Sequence, residues 1–317
     1  MFVVRCAPLR VIARALIGVV LMWVSGVALA APKLVVSLAP LHSLAVAVTE
    51  GVSEPVLLYQ QQQSPHGSGL SPDQLRQLTQ ADVLVWVGPE LETGLARLIS
   101  RLPDTAVDWH WHDYDSGMTH YAPRPALFDT DAAALLHEDH DHGQLDPHFW
   151  LDPRNAAVFS TALAQQLAQL DPANAAVYRA NAEQLNQQLQ SLYDSVNAQL
   201  APVRHKPFVV FHDGFQYFER AFDLRALGAL VVTPEIPPGP RTVAELAQRA
   251  NAAGGVCLFY EPQFSQRWLQ PLEKAVPQSQ LAQIDPLGSA HAPGAQLYAD
   301  IISGLADSLT HCLETLP

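Results

Sequence analysis

The chain is poor in cysteine, poor in positive charge and, past its first thirty residues, free of long apolar runs. Its 317 residues include 3 cysteines, and 18 lysines and arginines stand against 31 aspartates and glutamates. Phosphate recognition needs clustered basic side chains, so this balance argues against nucleic acid as a partner. No later stretch is long and apolar enough for a bilayer span, which argues against a membrane-embedded body. Familiar catalytic signatures are missing too: there is no His-Glu-x-x-His pair, no Gly-x-Ser-x-Gly elbow and no phosphate-binding glycine loop.

What is present begins with a leader. Arg5, Arg10 and Arg14 precede the apolar run from Ala15 to Val24, which closes on Ala28-Leu29-Ala30. This is the pattern of a secretory signal peptide over residues 1–30, cleaved after Ala30, and the run is short for a membrane anchor. Cys6 lies ahead of the apolar run, so it cannot become a lipid-modified first residue, and the mature product is expected to be free in solution. Cleavage takes the basic count from 18 to 15 against 31 acidic residues, a charge near −16. The mature chain of about 287 residues exceeds the usual size of one domain and suggests two. Export leaves Cys257 and Cys312 in an oxidising compartment, where a disulfide between them is expected. A thiolate metal pair is the competing reading, but it would need closer Cys-x-x-Cys spacing or neighbouring ligands.

From Lys33 the chain alternates short β-branched runs with helical stretches, the pattern of parallel α/β units. In a first block Lys33 to Leu38, Val56 to Tyr59 and Ala81 to Val87 read as strands, and Leu41 to Glu50, Pro72 to Thr79 and Glu90 to Arg101 as helices. A second block has strands at Phe208 to Phe211, Ala229 to Val232, Val256 to Tyr260 and Leu281 to Ile284. Its helices fall at Phe215 to Phe222, Val243 to Ala253, Ser265 to Ala275 and Gly294 to Leu313. Between the blocks Pro172 to Leu200 has no glycine or internal proline and repeats apolar residues at Val177, Leu185, Leu189, Leu192 and Val196, which predicts a long helix. The expected fold class is α/β, two Rossmann-like lobes with parallel sheets joined by a long rigid connecting helix. The lobes cover 31–171 and 202–317, with the connector at 172–201. Such a connector favours a small tilt on binding over wide hinge closure. The stretch from Asp108 to Asp146 is dense in charge, holds six histidines and shows little periodicity, and its centre, His137-Glu-Asp-His-Asp-His142, reads as a mobile loop.

Open α/β sheets bind ligands beyond the carboxyl ends of their strands. His212 directly follows the run Phe208 to Phe211, and Asp285 directly follows Leu281 to Ile284. His66 lies in the loop after the second strand, and His148 sits at the approach to a helix beginning near Pro153. Two come from each block, so they converge only if the lobes face each other. Three imidazoles and a carboxylate suit tetrahedral zinc, whereas manganese favours more oxygen donors. Spacing alone leaves two readings open, an interlobe metal site and strand-end histidines satisfied by backbone hydrogen bonds.

Further motifs carry a resemblance. Ser64-Pro65-His66, Ala81-Asp-Val-Leu-Val-Trp-Val-Gly-Pro-Glu90, Asp146-Pro-His148 with Trp150-Leu-Asp-Pro153, Phe211-His212-Asp213, Glu261-Pro-Gln-Phe264 and Asp285-Pro-Leu-Gly288 together resemble the zinc-binding solute-binding proteins of bacterial ABC importers. The resemblance covers nearly the whole mature chain. It implies that His66, His148 and His212 bind Zn2+ as a transported ligand, with Asp285 or water in the fourth position. It also implies a periplasmic location, a monomer working with an inner-membrane ABC permease, and Cys257–Cys312 as the family's disulfide. Relatives that bind manganese carry glutamate where His212 stands. The sequence departs from the family in Gln60-Gln-Gln-Gln63, in place of a glycine-rich approach to His66, and in a short histidine-rich segment.

Other histidines have plainer expectations. His137, His140 and His142 could collect zinc weakly, or belong to a solvated acidic loop. His110 and His112 flank Trp111 and could share a strand face. His42, His120, His205, His291 and His311 carry no motif and are assigned to structure or surface. The rival classes are a zinc-dependent hydrolase, a manganese-binding relative, and an adhesin or metal chaperone of related fold.

Overall fold

The computed structural model of the chain describes residues 30–110, 116–128 and 145–316; apart from Ala30, the expected leader lies outside them. The first lobe is built on β1 (Leu34–Val36), β2 (Val56–Leu57), β3 (Val83–Trp86) and β4 (Val107–His110), all parallel and in the order β2-β1-β3-β4. Between them run α1 (Ala39–Val48), α2 (Pro72–Leu78) and the short α3 (Thr93–Ala96). β3 is buried at every position, as a parallel strand covered on both faces must be, and so reads as an unbroken apolar run. α2 starts where Ser71 and Gln74 form a reciprocal capping box with Pro72 in the first turn.

β4 adds a strand that the sequence reading did not assign, at the start of the charged stretch from Asp108. Only Trp109 of its four residues is fully buried, so the strand shows one inward side chain in a charged stretch. Asp108 is tied in by accepting a hydrogen bond from Trp86 Nε1 at 2.6 Å.

Two long helices follow, α4 (Pro153–Leu170) and α5 (Ala175–Leu200). The 26 residues of α5 make a rod about 39 Å long. Its buried stripe is Tyr178, Ala182, Leu185, Leu189, Val196 and Leu200, while Val177, an expected core position, is 39% exposed. The second lobe repeats the plan of the first with β5 (Phe208–His212), α6 (Gln216–Ala221), β6 (Ala229–Val231), α7 (Pro240–Ala252), β7 (Val256–Tyr260), α8 (Gln270–Ala275) and β8 (Ser279–Gln283). Its parallel strands lie in the order β6-β5-β7-β8, the same arrangement as in the first sheet. α9 (Leu297–Thr315) closes the chain and is stapled to β7 by the Cys257–Cys312 disulfide.

The lobes share packing beyond the connector. α9 packs on α1 as well as on α5, and Ser43 of α1 both donates to Ala295 O at 3.0 Å and accepts from Tyr298 N at 2.9 Å. One continuous apolar core therefore runs through residues of both lobes, with a smaller one between β5, β7, α7 and α8. Among the described residues no helix is long and apolar enough to cross a membrane.

Candidate metal centre

His66, His148 and His212 meet at the seam between the lobes, with one ring nitrogen from each lying within 4.8 Å of the others. Their ring centroids are 5.3 to 5.5 Å apart. Each arrives on a different support. His212 is the last residue of β5 itself, one position further into the strand than the sequence suggested. His148 precedes a single 3-10 turn, Phe149–Leu151, that leads into α4. His66 stands on the loop between β2 and α2, whose backbone is held by α3. There Thr93 Oγ1 donates to His66 O at 2.9 Å, and a Cβ at Gly94 would fall 2.2 Å from Ser68 O, so the loop lies directly on that glycine.

Two of the imidazoles are oriented by buried carboxylates. Asp146 Oδ1 lies 2.8 Å from His148 Nδ1 and also accepts the His148 backbone N–H at 3.0 Å. Glu261 Oε1, immediately past β7, lies 2.6 Å from His212 Nδ1. A carboxylate at Nδ1 fixes the proton there and leaves the Nε2 lone pair free, the arrangement that orients metal-binding histidines. The two Nε2 atoms then face each other at 3.4 Å. Two converging lone pairs in a buried site repel unless a cation or a proton stands between them. Gly214 belongs to the same geometry, because a Cβ there would sit 2.5 Å from His212 Nε2 and 3.3 Å from His148 Nε2.

Electrostatics separate the three histidines. Burial holds His66 well below the ordinary histidine range, and the neighbouring His212 and His148 push it the same way. At His212 burial also pulls downward, but the Glu261 carboxylate outweighs it and the ring titrates above its usual value. Burial would raise Asp146, yet its hydrogen bonds from His148 keep it below the usual carboxylate range. The rings line a small pocket of about 20 Å³, room for one atom-sized guest, together with Pro65, Trp150, Phe264, Pro286 and Leu287.

Asp285 does not join this cluster. Its Oδ1 accepts hydrogen bonds from Gln263 Nε2, Leu287 N and Gly288 N at 3.0 to 3.1 Å, and its Oδ2 accepts from Ser289 N and Ser289 Oγ at 2.5 and 2.6 Å. With both oxygens engaged, the carboxylate builds the turn after β8. That turn serves the site indirectly, since Pro286 O accepts from Trp150 Nε1 at 3.2 Å and Gly288 O accepts from Gln61 Nε2 at 2.6 Å. The glutamine run before His66 is thus an interlobe contact.

His137, His140, His142 and His112 lie outside the described residues. His42 is structural: it is buried, with its Nε2 3.0 Å from Pro55 O. Asp146 and Glu261 escaped sequence assignment although both stand in quoted motifs. A carboxylate two residues before His148 was a legible signal, whereas Glu261 meets His212 only because β7 pairs with β5.

Residues 34–312 match the family described as zinc-uptake complex component A, periplasmic. The chain belongs to that family. Among curated zinc-uptake component A proteins, it is 34% identical to the high-affinity zinc uptake system protein ZnuA of Brucella suis, over 88% of this chain and 91% of the relative. Against the protein of the same name from Paracoccus denitrificans identity is 30%, covering 89% and 92%. A crystal structure of ZnuA superposes with a TM-score of 0.73 at 21% identity, over 89% of this chain and 99% of that one. The periplasmic zinc-binding protein TroA of Treponema pallidum gives 0.74 at 18% identity over the same shares. A laminin-binding protein of Streptococcus agalactiae, described as having both adhesin and metal-transporting activity, gives 0.71 at 21%. At these identities the structures speak for the zinc-uptake component A fold, while the family match rests on sequence.

Proposed function

We propose that this chain captures one zinc ion between its lobes in the periplasm and delivers it to the permease of an ABC importer. The observation that carries the reading is the pair of Nε2 atoms facing each other at 3.4 Å, each on a ring whose Nδ1 is held by a buried carboxylate. Zinc accepts three imidazole nitrogens readily, while manganese would want more oxygen. His66, His148 and His212 hold the ion in this reading, and with Asp285 committed to its turn the fourth position falls to solvent. Zinc here is cargo, and no chemistry follows its capture. The absence of a His-Glu-x-x-His pair, a nucleophile elbow and a phosphate-binding glycine loop supports this over hydrolysis. The arginine-bearing leader supports export with cleavage after Ala30.

Titrating the purified protein with zinc in the presence of a competing chelator tests the reading. One tight site is expected, abolished by His148→Ala. Unchanged affinity in that variant would sink the assignment.

A further inference from the structure

One charged side chain, Arg124, ties the segment that carries His148 to the strand end that carries His212, and it stands outside the cluster of ring nitrogens. Arg124 lies on the strap of residues 116–128, which leaves the first lobe after β4. Thr119 on this strap exchanges hydrogen bonds with Asn155 of α4 at 2.9 and 3.0 Å. The strap then crosses to the second lobe, where Ala126 O accepts from Ala229 N of β6 at 2.7 Å. Midway, Tyr121 O accepts from Asp146 N at 2.8 Å, so the strap fixes the residue that orients His148. Arg124 does the matching work on the other side. Its Nε and Nη2 donate to Asp213, the neighbour of His212, with the shortest contact at 2.5 Å. Its Nη1 and Nη2 donate to Glu219 of α6 at 3.2 and 2.7 Å. The guanidinium carbon lies 3.6 Å from the centre of the Phe128 ring, and the Arg124 side chain is 16% exposed.

We propose that Arg124 is a positioning residue for zinc, acting through Asp213 and the strap to hold His212 at its working distance from His148. The chemistry favours arginine in this place. Only its planar fork serves two carboxylates at once while stacking on a ring, and lysine offers a point charge instead. Removing the fork would leave Asp213 and Glu219 buried without their cation, and the strand end at His212 would lose its tie to the strap. The ion would then escape sooner, while its way in would change little.

The inference rests on the zinc-capture reading, and the experiment separates the two. Zinc release into excess chelator is timed by stopped flow for the unaltered protein, R124Q and R124K, and the cobalt(II) absorption bands report ligand geometry. R124Q is expected to release zinc at least about tenfold faster with shifted cobalt bands, the size of effect typical of groups that orient metal ligands, and R124K is expected to fall between. Association rates should stay within about threefold, because diffusion and entry set them. A folded R124Q with unchanged release and an unchanged cobalt spectrum overturns the inference. If R124Q fails to fold, R124K decides: faster release supports the proposal and unchanged release overturns it. Failure of the unaltered protein to bind zinc strikes the capture reading itself, and this inference with it.

Discussion

His212 and His66 reach the same cavity from opposite lobes, but on supports of different stiffness. His212 is the end of a fully buried strand, its ring held by Glu261 at 2.6 Å and walled by Phe215 and Phe264. His66 rides a loop secured through its backbone, and among the described residues no carboxylate is placed at its ring. The two topologically equivalent sheets thus contribute unequal halves: a histidine preset by its strand and carboxylate, and one carried on a loop. The difference teaches that a binding seam needs only one rigid jaw, and the other can rest on a loop held by Thr93 within its own lobe and by Gln61 to Gly288 across the seam.

The sharpest way to break this comparison is to remove each jaw in turn. Zinc-folded sites hold their metal by roughly 10–16 kcal/mol, so one ligand of four is worth roughly 3–4 kcal/mol, or two to three powers of ten in Kd. His212→Ala is expected to lose that full amount, and His66→Ala about tenfold less, since a loop ligand costs more entropy to place. Equal losses by competitive titration would erase the distinction. Gly214→Ala comes next: its methyl group would meet the Nε2 of His212, and overpacking of this kind costs about 1–3 kcal/mol, near a hundredfold in Kd at most. Glu261→Gln and Asp146→Asn should each cost about ten- to a hundredfold by loosening ring orientation, with the zinc-to-protein ratio still one.

A gentler test uses pH. Because His212 titrates above its ordinary value, zinc competes with a proton there, and affinity should fall as pH drops through that raised value. His66, depressed well below the usual range, contributes its own proton only at lower pH. Calorimetry in buffers of different ionisation enthalpy should therefore detect proton release on zinc binding that grows as pH is lowered from neutral. The sign reverses for the metal-free fold. The raised His212 adds stability at acid pH that is lost as pH rises through its folded value, while the lowered Asp146 adds stability present above the ordinary carboxylate value and lost in acid. The smallest effect on the site should come from Cys312→Ser. Opening a 55-residue separation costs up to about 4 kcal/mol of fold stability in the chain-entropy picture, with zinc Kd nearly unchanged.

Much of the architecture was legible because burial writes itself into parallel strands. Val83–Trp86 and Val256–Tyr260 are apolar throughout, and the connector shows its stripe at Leu185, Leu189 and Val196. β4 was not legible, since one buried tryptophan among charges gives no period to read. The three histidines could be named from motif and strand-end position, while Asp285 was named for the same reason and does another job. A carboxylate at a strand end looks alike whether it faces a cavity or folds back on the next four residues. Only the turn, with five donors converging on that one side chain, tells the two apart.

The sequence by itself determined the α/β class, the doubled block, the connecting helix, the cysteine pair and the identity of three imidazoles, because each depends on local pattern or on residue type. Tertiary structure decided which nitrogen of His148 and His212 faces the cavity, which carboxylates stand behind them, and that Asp285 is occupied elsewhere. Strand order brings Glu261 beside His212 and lobe packing brings Arg124 to Asp213. Those juxtapositions join residues 49 and 89 positions apart, a distance over which no sequence period extends.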